Sequence, residues 1–435
     1  MKRGTAFRSA RRLGLMIGGE AAQSGLHFAL NIALIKSLSA RDYGVFAIVM
    51  VIGGIGLTYI RSLTAMPASI YIGKSRSLER ANFYEGAFGA AAILLSSLIA
   101  LIVAGLLSAW TPSSALAGAA FVGLWCLRSH LRTVHFAFGR QRIVTLGDLA
   151  FALSGASLAG LAAWVGDDLM TRVFFALAAA NFIGAATMRV LSREPIDARF
   201  DRSARIFYRR LLGRLGWSAF SVTTANLQGQ GISLLVTALA GPAAYAPIAA
   251  MLIVFVPLRI IGAALVNLIQ PEIARLAANA DVQAVWTLAM TWTFASALAG
   301  LGYGVAAMAF LPFLKSQSLV GAPIYLLGAF AWSIYTLTLL YLAPRVILEV
   351  LMKFRSVAVI TATAAALSMG AITLILEFAP ASWALAGASV GEAVVLALAW
   401  CAATRELRKL AARRPMDADE KQREWRPPMR MTARS

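Results

Sequence analysis

Cysteine, histidine and acidic residues are all scarce in this chain, and each scarcity excludes a class of chemistry. Two cysteines, Cys126 and Cys401, both lie in apolar segments, so there is no disulfide framework and no CxxC pair. Three histidines with no accompanying cysteine cluster cannot assemble a zinc site, and neither a metal nor any other cofactor is expected. Charged residues make up only 14% of the 435 positions while 59% are hydrophobic, and the mean hydropathy of +0.72 excludes a water-soluble globular fold. Twenty acids against forty bases leave a net charge of +20. In a soluble protein that excess would suggest nucleic acid; in a membrane protein it reports orientation, so no nucleic-acid partner is expected.

Long apolar runs are what the chain has in abundance. A hydrocarbon core of about 30 Å takes about 20 apolar residues per helix. Twelve such spans can be placed: 13–35, 45–65, 83–106, 115–138, 143–165, 173–191, 216–239, 246–269, 285–311, 324–343, 357–376 and 383–404. The fold class is therefore all-α, a polytopic integral membrane protein. The longest internal connection divides it into a six-helix lobe at 1–191, a basic amphipathic linker at 192–215, a second six-helix lobe at 216–404 and a tail at 405–435, expected to be cytoplasmic and disordered because its charges alternate in sign. With the N-terminus inside, thirty-two lysines and arginines fall on the inner side and four on the outer, and four more lie within spans. This imbalance predicts an inner-membrane location with both termini cytoplasmic. In the linker, Phe207, Tyr208, Leu211, Leu212 and Leu215 share one side, with Arg205, Arg209 and Arg214 around them. The pattern predicts a helix lying on an anionic leaflet, which makes anionic lipids expected partners.

The link after the first span, LSARDYGVFAIVM, and the link after the seventh, LAGPAAYAPIAAM, align through Tyr43 and Tyr245, which suggests a parallel repeat of six spans. Leu38, Asp42, Tyr43 and Gly44, then Ala244, Tyr245 and Ala246, and Gln270 and Pro271 at the inner end of the eighth span resemble motifs of the oligosaccharide flippases of the multidrug/oligosaccharidyl-lipid/polysaccharide superfamily. The resemblance implies two six-helix lobes around a cavity that opens alternately to the two sides. It also implies a lipid-linked sugar as substrate, moved outward for polysaccharide or exopolysaccharide biosynthesis, and other polysaccharide-assembly membrane proteins as partners. Twelve spans equally suit the drug-exporting branch of the superfamily.

Polar groups inside spans cost several kcal/mol each unless they face protein or water. In the first span Glu20, Gln23, His27 and Asn31 form one stripe of about 16 Å. The stripe reads either as a packing seam or as a cavity wall. Asn226 and Gln228, beside Ser221 and Thr224 of the seventh span, extend the cavity reading, since amides and hydroxyls serve sugar hydroxyls as donors and acceptors. Arg128 and Arg259 sit at mid-span, where an arginine costs about 2.5 to 3.5 kcal/mol, and Arg132 and Arg61 accompany them. A phosphate or diphosphate would accept bidentate guanidinium bonds; the alternative is an intramembrane pair with Glu20, Glu85, Asp148 or Glu392. Glu20 and Glu392 are also candidate ion-coupling acids. Asp167 and Asp168 form the one acidic doublet expected outside. A membrane glycosyltransferase or polymerase would need a sizeable loop around such a pair, whereas the links here are short, so a transporter rather than an enzyme is expected.

Overall fold

The computed structural model describes residues 2–165, 168–193, 198–314 and 319–412; the side chains of 2–17, Arg214 and four residues of the eighth span are outside this set. Asp167, Lys315 and the tail beyond residue 412, on which expectations were placed, also lie outside it. The described residues contain helices and no strand. In a bilayer an exposed backbone has no water to bond, so apolar runs of this length must satisfy their peptide groups internally.

Twelve helices or helix pairs carry the twelve predicted spans. The first half comprises α1 (Lys2–Ser37), α2 (Ala40–Ile60), α3 (Met66–Lys74), α4 (Leu78–Trp110), α5 (Ala115–Ala137), α6 (Gln141–Trp164) and α7 (Leu169–Ser192). The second half comprises α8 (Arg202–Ala240), α9 (Pro242–Ala278), α10 (Val282–Phe310), α11 (Ile324–Leu340), α12 (Leu342–Val350), α13 (Phe354–Phe378) and α14 (Ala384–Ala412). One π-helical turn, Arg61–Ala65, joins α2 to α3. Nine of these segments are apolar and long enough to cross a membrane on composition alone among the described residues. The spans in α1, α5 and α8 fall outside those nine, and they are the ones that carry most of the polar candidates.

Local chemistry fixes the helix starts. Ser39 caps α2: its hydroxyl accepts from the Asp42 amide at 3.1 Å and donates to the Asp42 carboxylate at 2.8 Å, a reciprocal capping arrangement. Asp201 caps α8 by accepting from the Ala204 amide at 2.7 Å, and that bond holds its carboxyl below the usual carboxylate range. Asp168, half of the acidic doublet, caps α7 through the amide and hydroxyl of Thr171 at 3.2 and 2.8 Å. Its role is therefore structural.

Two compact units divide the described chain. The first holds Met1–Val256, Gly304–Ile334 and Thr361–Gly391; the second holds Pro257–Tyr303, Tyr335–Ile360 and Glu392–Ser435. Inside the first unit an aromatic row packs α2, α5 and α7 together, with Phe46 on Phe174 at 5.6 Å, Phe121 on Phe174 at 6.0 Å and Phe121 on Trp125 at 5.4 Å. Close packing of this kind, rather than exclusion of water, holds helices together in lipid. The two aligned links also meet: a Cβ on Gly44 would fall 1.9 Å from the Pro242 carbonyl oxygen, so only glycine permits this approach of α2 to the start of α9. Buried Tyr245 donates to Ser233 at 2.9 Å.

The linker departs from expectation. It is not a separate surface helix: from Arg202 onward it is continuous with the seventh span in α8. Most of its apolar side packs on protein, with Leu211 and Leu215 buried beside Ala68, Ile72, Ala81 and Phe88 and with Phe207 and Tyr208 against the same cluster, while Leu212 is exposed. Phe207 meets Tyr71, Tyr84 and Phe88 at 5.2 to 5.7 Å, and the Tyr208 hydroxyl donates to the Leu63 carbonyl at 3.0 Å. An amphipathic pattern specifies an apolar neighbour without saying whether that neighbour is lipid or protein.

Candidate functional site

Arg128 and Arg132 are four residues apart on α5 and therefore share a face. That face meets α1, α6 and α7, each of which contributes a polar partner. Arg128 is 1% exposed, and its guanidinium is bonded on three sides. Nε donates to Asn181 at 2.8 Å, Nη1 to Asp148 Oδ1 at 2.9 Å and Nη2 to Gln23 at 2.7 Å. The Phe151 ring lies 4.0 Å from its charged carbon, which adds a cation–π contact.

Asp148 bridges the two arginines, because its second oxygen accepts from Arg132 Nε at 2.9 Å. Arg132 in turn reaches Glu20 at 2.8 Å. Two guanidinium groups thus face two carboxylates in a neutral chain that begins at fully buried Asn181 and ends at Glu20, whose side chain is 56% exposed. Gly19 makes room for it: a Cβ there would sit 2.8 Å from Asp148 Oδ2. Of the carboxylates weighed as Arg128 partners, Asp148 is the one in contact, and Glu85 pairs instead with Arg189 at 3.1 Å.

The stripe on α1 faces protein over most of its length. Glu20 and Gln23 join the arginine chain, and Asn31, 4% exposed, bonds back to the His27 carbonyl at 2.8 Å. The His27 ring lies between Trp125 at 5.1 Å and Phe151 at 5.7 Å, with both ring nitrogens buried and without a hydrogen bond among the described residues. Sequence inspection missed Asn181 and Phe151; a lone asparagine in an apolar span is the signal that could have found the former.

On α8 the residues that face α2 and the π turn are Ser218, Thr223 and Asn226, while Ser221, Thr224 and Gln228 lie on another side of the helix. Asn226 donates to Thr58 at 2.8 Å, Thr223 shares a bond with Tyr59 at 2.6 Å, and Ser218 shares one with Ser62. The seam is uncharged. Gln228 is half-buried. Arg61, on the π turn, is exposed and has no ion pair among the described residues.

The second unit holds the remaining candidates. Arg259 sits near the middle of α9, exposed and with no hydrogen bond or ion pair among the described residues. Glu392 is 7% exposed and accepts from Thr338 at 3.1 Å. Tyr335 lies within electrostatic reach of both Arg259 and Glu392. Among the described residues no group of histidines, cysteines and acids could hold a metal ion.

No family model matches the chain, and no curated protein matches it by sequence. Solved structures do match. An inward-facing multidrug resistance MATE family transporter of the MOP superfamily superposes with a TM-score of 0.73 at 12% identity, covering 90% of this chain and 96% of that one. The eukaryotic MATE transporter AtDTX14 gives 0.64 at 13% identity, covering 93% and 99%, and an outward-facing MATE transporter gives 0.57 at 11%, covering 93% and 96%. At such identities the likeness speaks for architecture, and by architecture this multi-pass membrane chain has the fold of the MATE transporters of the MOP superfamily.

Proposed function

We propose that the chain is an alternating-access transporter that carries an anionic, lipid-linked oligosaccharide or exopolysaccharide unit from the cytoplasmic to the outer leaflet, and that it is not an enzyme. One observation carries this reading: Arg259, at mid-span on α9, is exposed and has no carboxylate partner among the described residues. An ionised group at that depth faces water or a cargo rather than lipid tails. A guanidinium stays charged, matches phosphate oxygens in bidentate fashion and repels cations. Within the first unit, taken by itself, Arg61 is a second exposed cation, on the π turn, and the hydroxyls and amides of Thr58, Asn226 and Gln228 suit sugar hydroxyls. Glu20 and Glu392 remain the candidate coupling acids. Thirty-two basic residues on one side against four on the other support an inner-membrane setting with cytoplasmic termini.

A second reading is drug export, favoured because two of the similar structures are described as multidrug resistance transporters. Deleting the protein separates the two. Accumulation of a lipid-linked saccharide on the cytoplasmic side supports the first reading; raised sensitivity to cationic drugs with no accumulation supports the second.

A further inference from the structure

The first five turns of α8 have two faces, and only one of them has a partner in the fold. The buried face, with Leu211 and Leu215, is locked into the aromatic cluster described above. On the other face Arg202, Arg205, Arg209, Gly213, Trp217 and Phe220 are all exposed, and at 100° per residue they fall within about 120° of one another. No acid lies anywhere in α8. Asp201, just before it, is engaged as the cap, and among the described residues Arg205 reaches only the Asp201 backbone oxygen, at 3.5 Å. Arg202 and Arg209 have no ion pair among the described residues.

The order along the axis is also informative. Arg202 to Arg209 spans about 10 Å, comparable to a headgroup layer, and Trp217 follows about 12 Å further on, with Phe220 one turn deeper. Tryptophan favours the boundary between headgroups and hydrocarbon. Between the cations and the aromatics lies Gly213, where a Cβ would meet no heavy atom within 4 Å, so the backbone is open to a ligand. We infer that this face binds an anionic phospholipid of the leaflet on the basic side, its phosphate on Arg202, Arg205 and Arg209 and its chains along Trp217 and Phe220. A soluble phosphate would use the cations but leave the aromatic half without a role. The inference is independent of the cargo. Because α8 is the helix through which the two halves of the chain are joined, a lipid held there makes transport sensitive to the anionic content of the leaflet.

The test uses the full chain in phosphatidylcholine vesicles doped with brominated phosphatidylglycerol or brominated phosphatidylcholine. The signal from Trp217 is taken as the difference between wild type and Trp217→Phe. The brominated anionic lipid should quench Trp217 several-fold better than the brominated zwitterionic one, and each arginine changed to glutamine should cut that preference by up to about fivefold. The combined variant Arg202→Gln, Arg205→Gln, Arg209→Gln should show no preference, while the corresponding lysine variant, which controls for folding, should keep most of it. Equal quenching by the two lipids in wild type overturns the inference. So does a preference that survives in the glutamine variant, or one abolished by millimolar inorganic phosphate, which would assign the face to a soluble anion.

Discussion

Arg128 and Arg259 are alike in the sequence, each an arginine at the middle of an apolar span, and unlike in the structure. Arg128 is saturated: Asn181, Asp148 and Gln23 take its donors, Phe151 covers its face, and 1% of it is exposed. Arg259 is exposed and has no bonded partner among the described residues. A buried charge is tolerable only when compensated, and an exposed one at that depth implies something polar that comes and goes. The first arginine therefore organises a bundle, and the second is the one we propose for the cargo. In the first-half polar stripe Gln23 and Glu20 serve Arg128 and Arg132, and the His27 ring packs on the helix that carries them.

The comparison breaks most visibly at Asp148. Changing Asp148→Asn takes a carboxylate from between two guanidinium groups and leaves Arg128 charged and uncompensated where it is 1% exposed. Loss of one partner of a buried pair typically costs about 3 to 5 kcal/mol. The variant should show a much lower unfolding midpoint in detergent and low levels in the membrane. Replacing the pair together, Arg128→Met with Asp148→Leu, should recover a good part of that loss, since apolar substitutes carry no desolvation penalty. A normal midpoint for Asp148→Asn would mean that Arg128 does not depend on this partner.

At Arg259 the expected pattern is inverted. Arg259→Gln should reach the membrane at normal levels, because no described carboxylate is left unpaired, while export of the lipid-linked saccharide falls about tenfold or more, the scale of a lost charge-assisted bond. Arg259→Lys should keep part of the activity, as it retains charge and loses the bidentate fork. If Arg259→Gln instead depletes the protein, or leaves export unchanged, the cargo assignment fails.

How far the sequence went can be judged residue by residue. All twelve predicted spans lie on helices, since a bilayer offers an apolar run of twenty residues little choice. Asp148 is one of four acids that the sequence offers as a partner for Arg128. Choosing it needed the packing of α6 against α1 and α7, with close contacts at Gly19 and Gly184 that no periodicity reveals. The π turn at Arg61–Ala65 and the continuity of the linker with α8 were equally illegible, because both are set by the neighbours α2 and α8 pack against. Leu211 and Leu215 show the general difficulty: their spacing announces a buried face, and only tertiary structure identifies what buries it.

The smallest effect expected is a gradient of accessibility along the α1 stripe, and it probes where the first-half network stops being dry. Glu20 marks its open end and Asn31, about 16 Å along the helix, its closed end at 4% exposure. Single cysteines at the two positions should be compared in a chain whose exposed Cys401 has been changed to serine; Cys126 is buried and can stay. Glu20→Cys removes a pair whose acid is more than half exposed, so the stability change should stay below about 1 kcal/mol and the reading should report access rather than unfolding. A small hydrophilic thiol reagent should modify the cysteine at position 20 rapidly and the one at position 31 slowly, with Gln23→Cys between them. Equal rates at 20 and 31 would mean that water reaches the whole stripe during the transport cycle, past Gln23 and to the edge of the Arg128 network. In that case the two deep arginines would differ in one state of the cycle and not in kind, and Arg128 would join Arg259 as a group that meets the cargo.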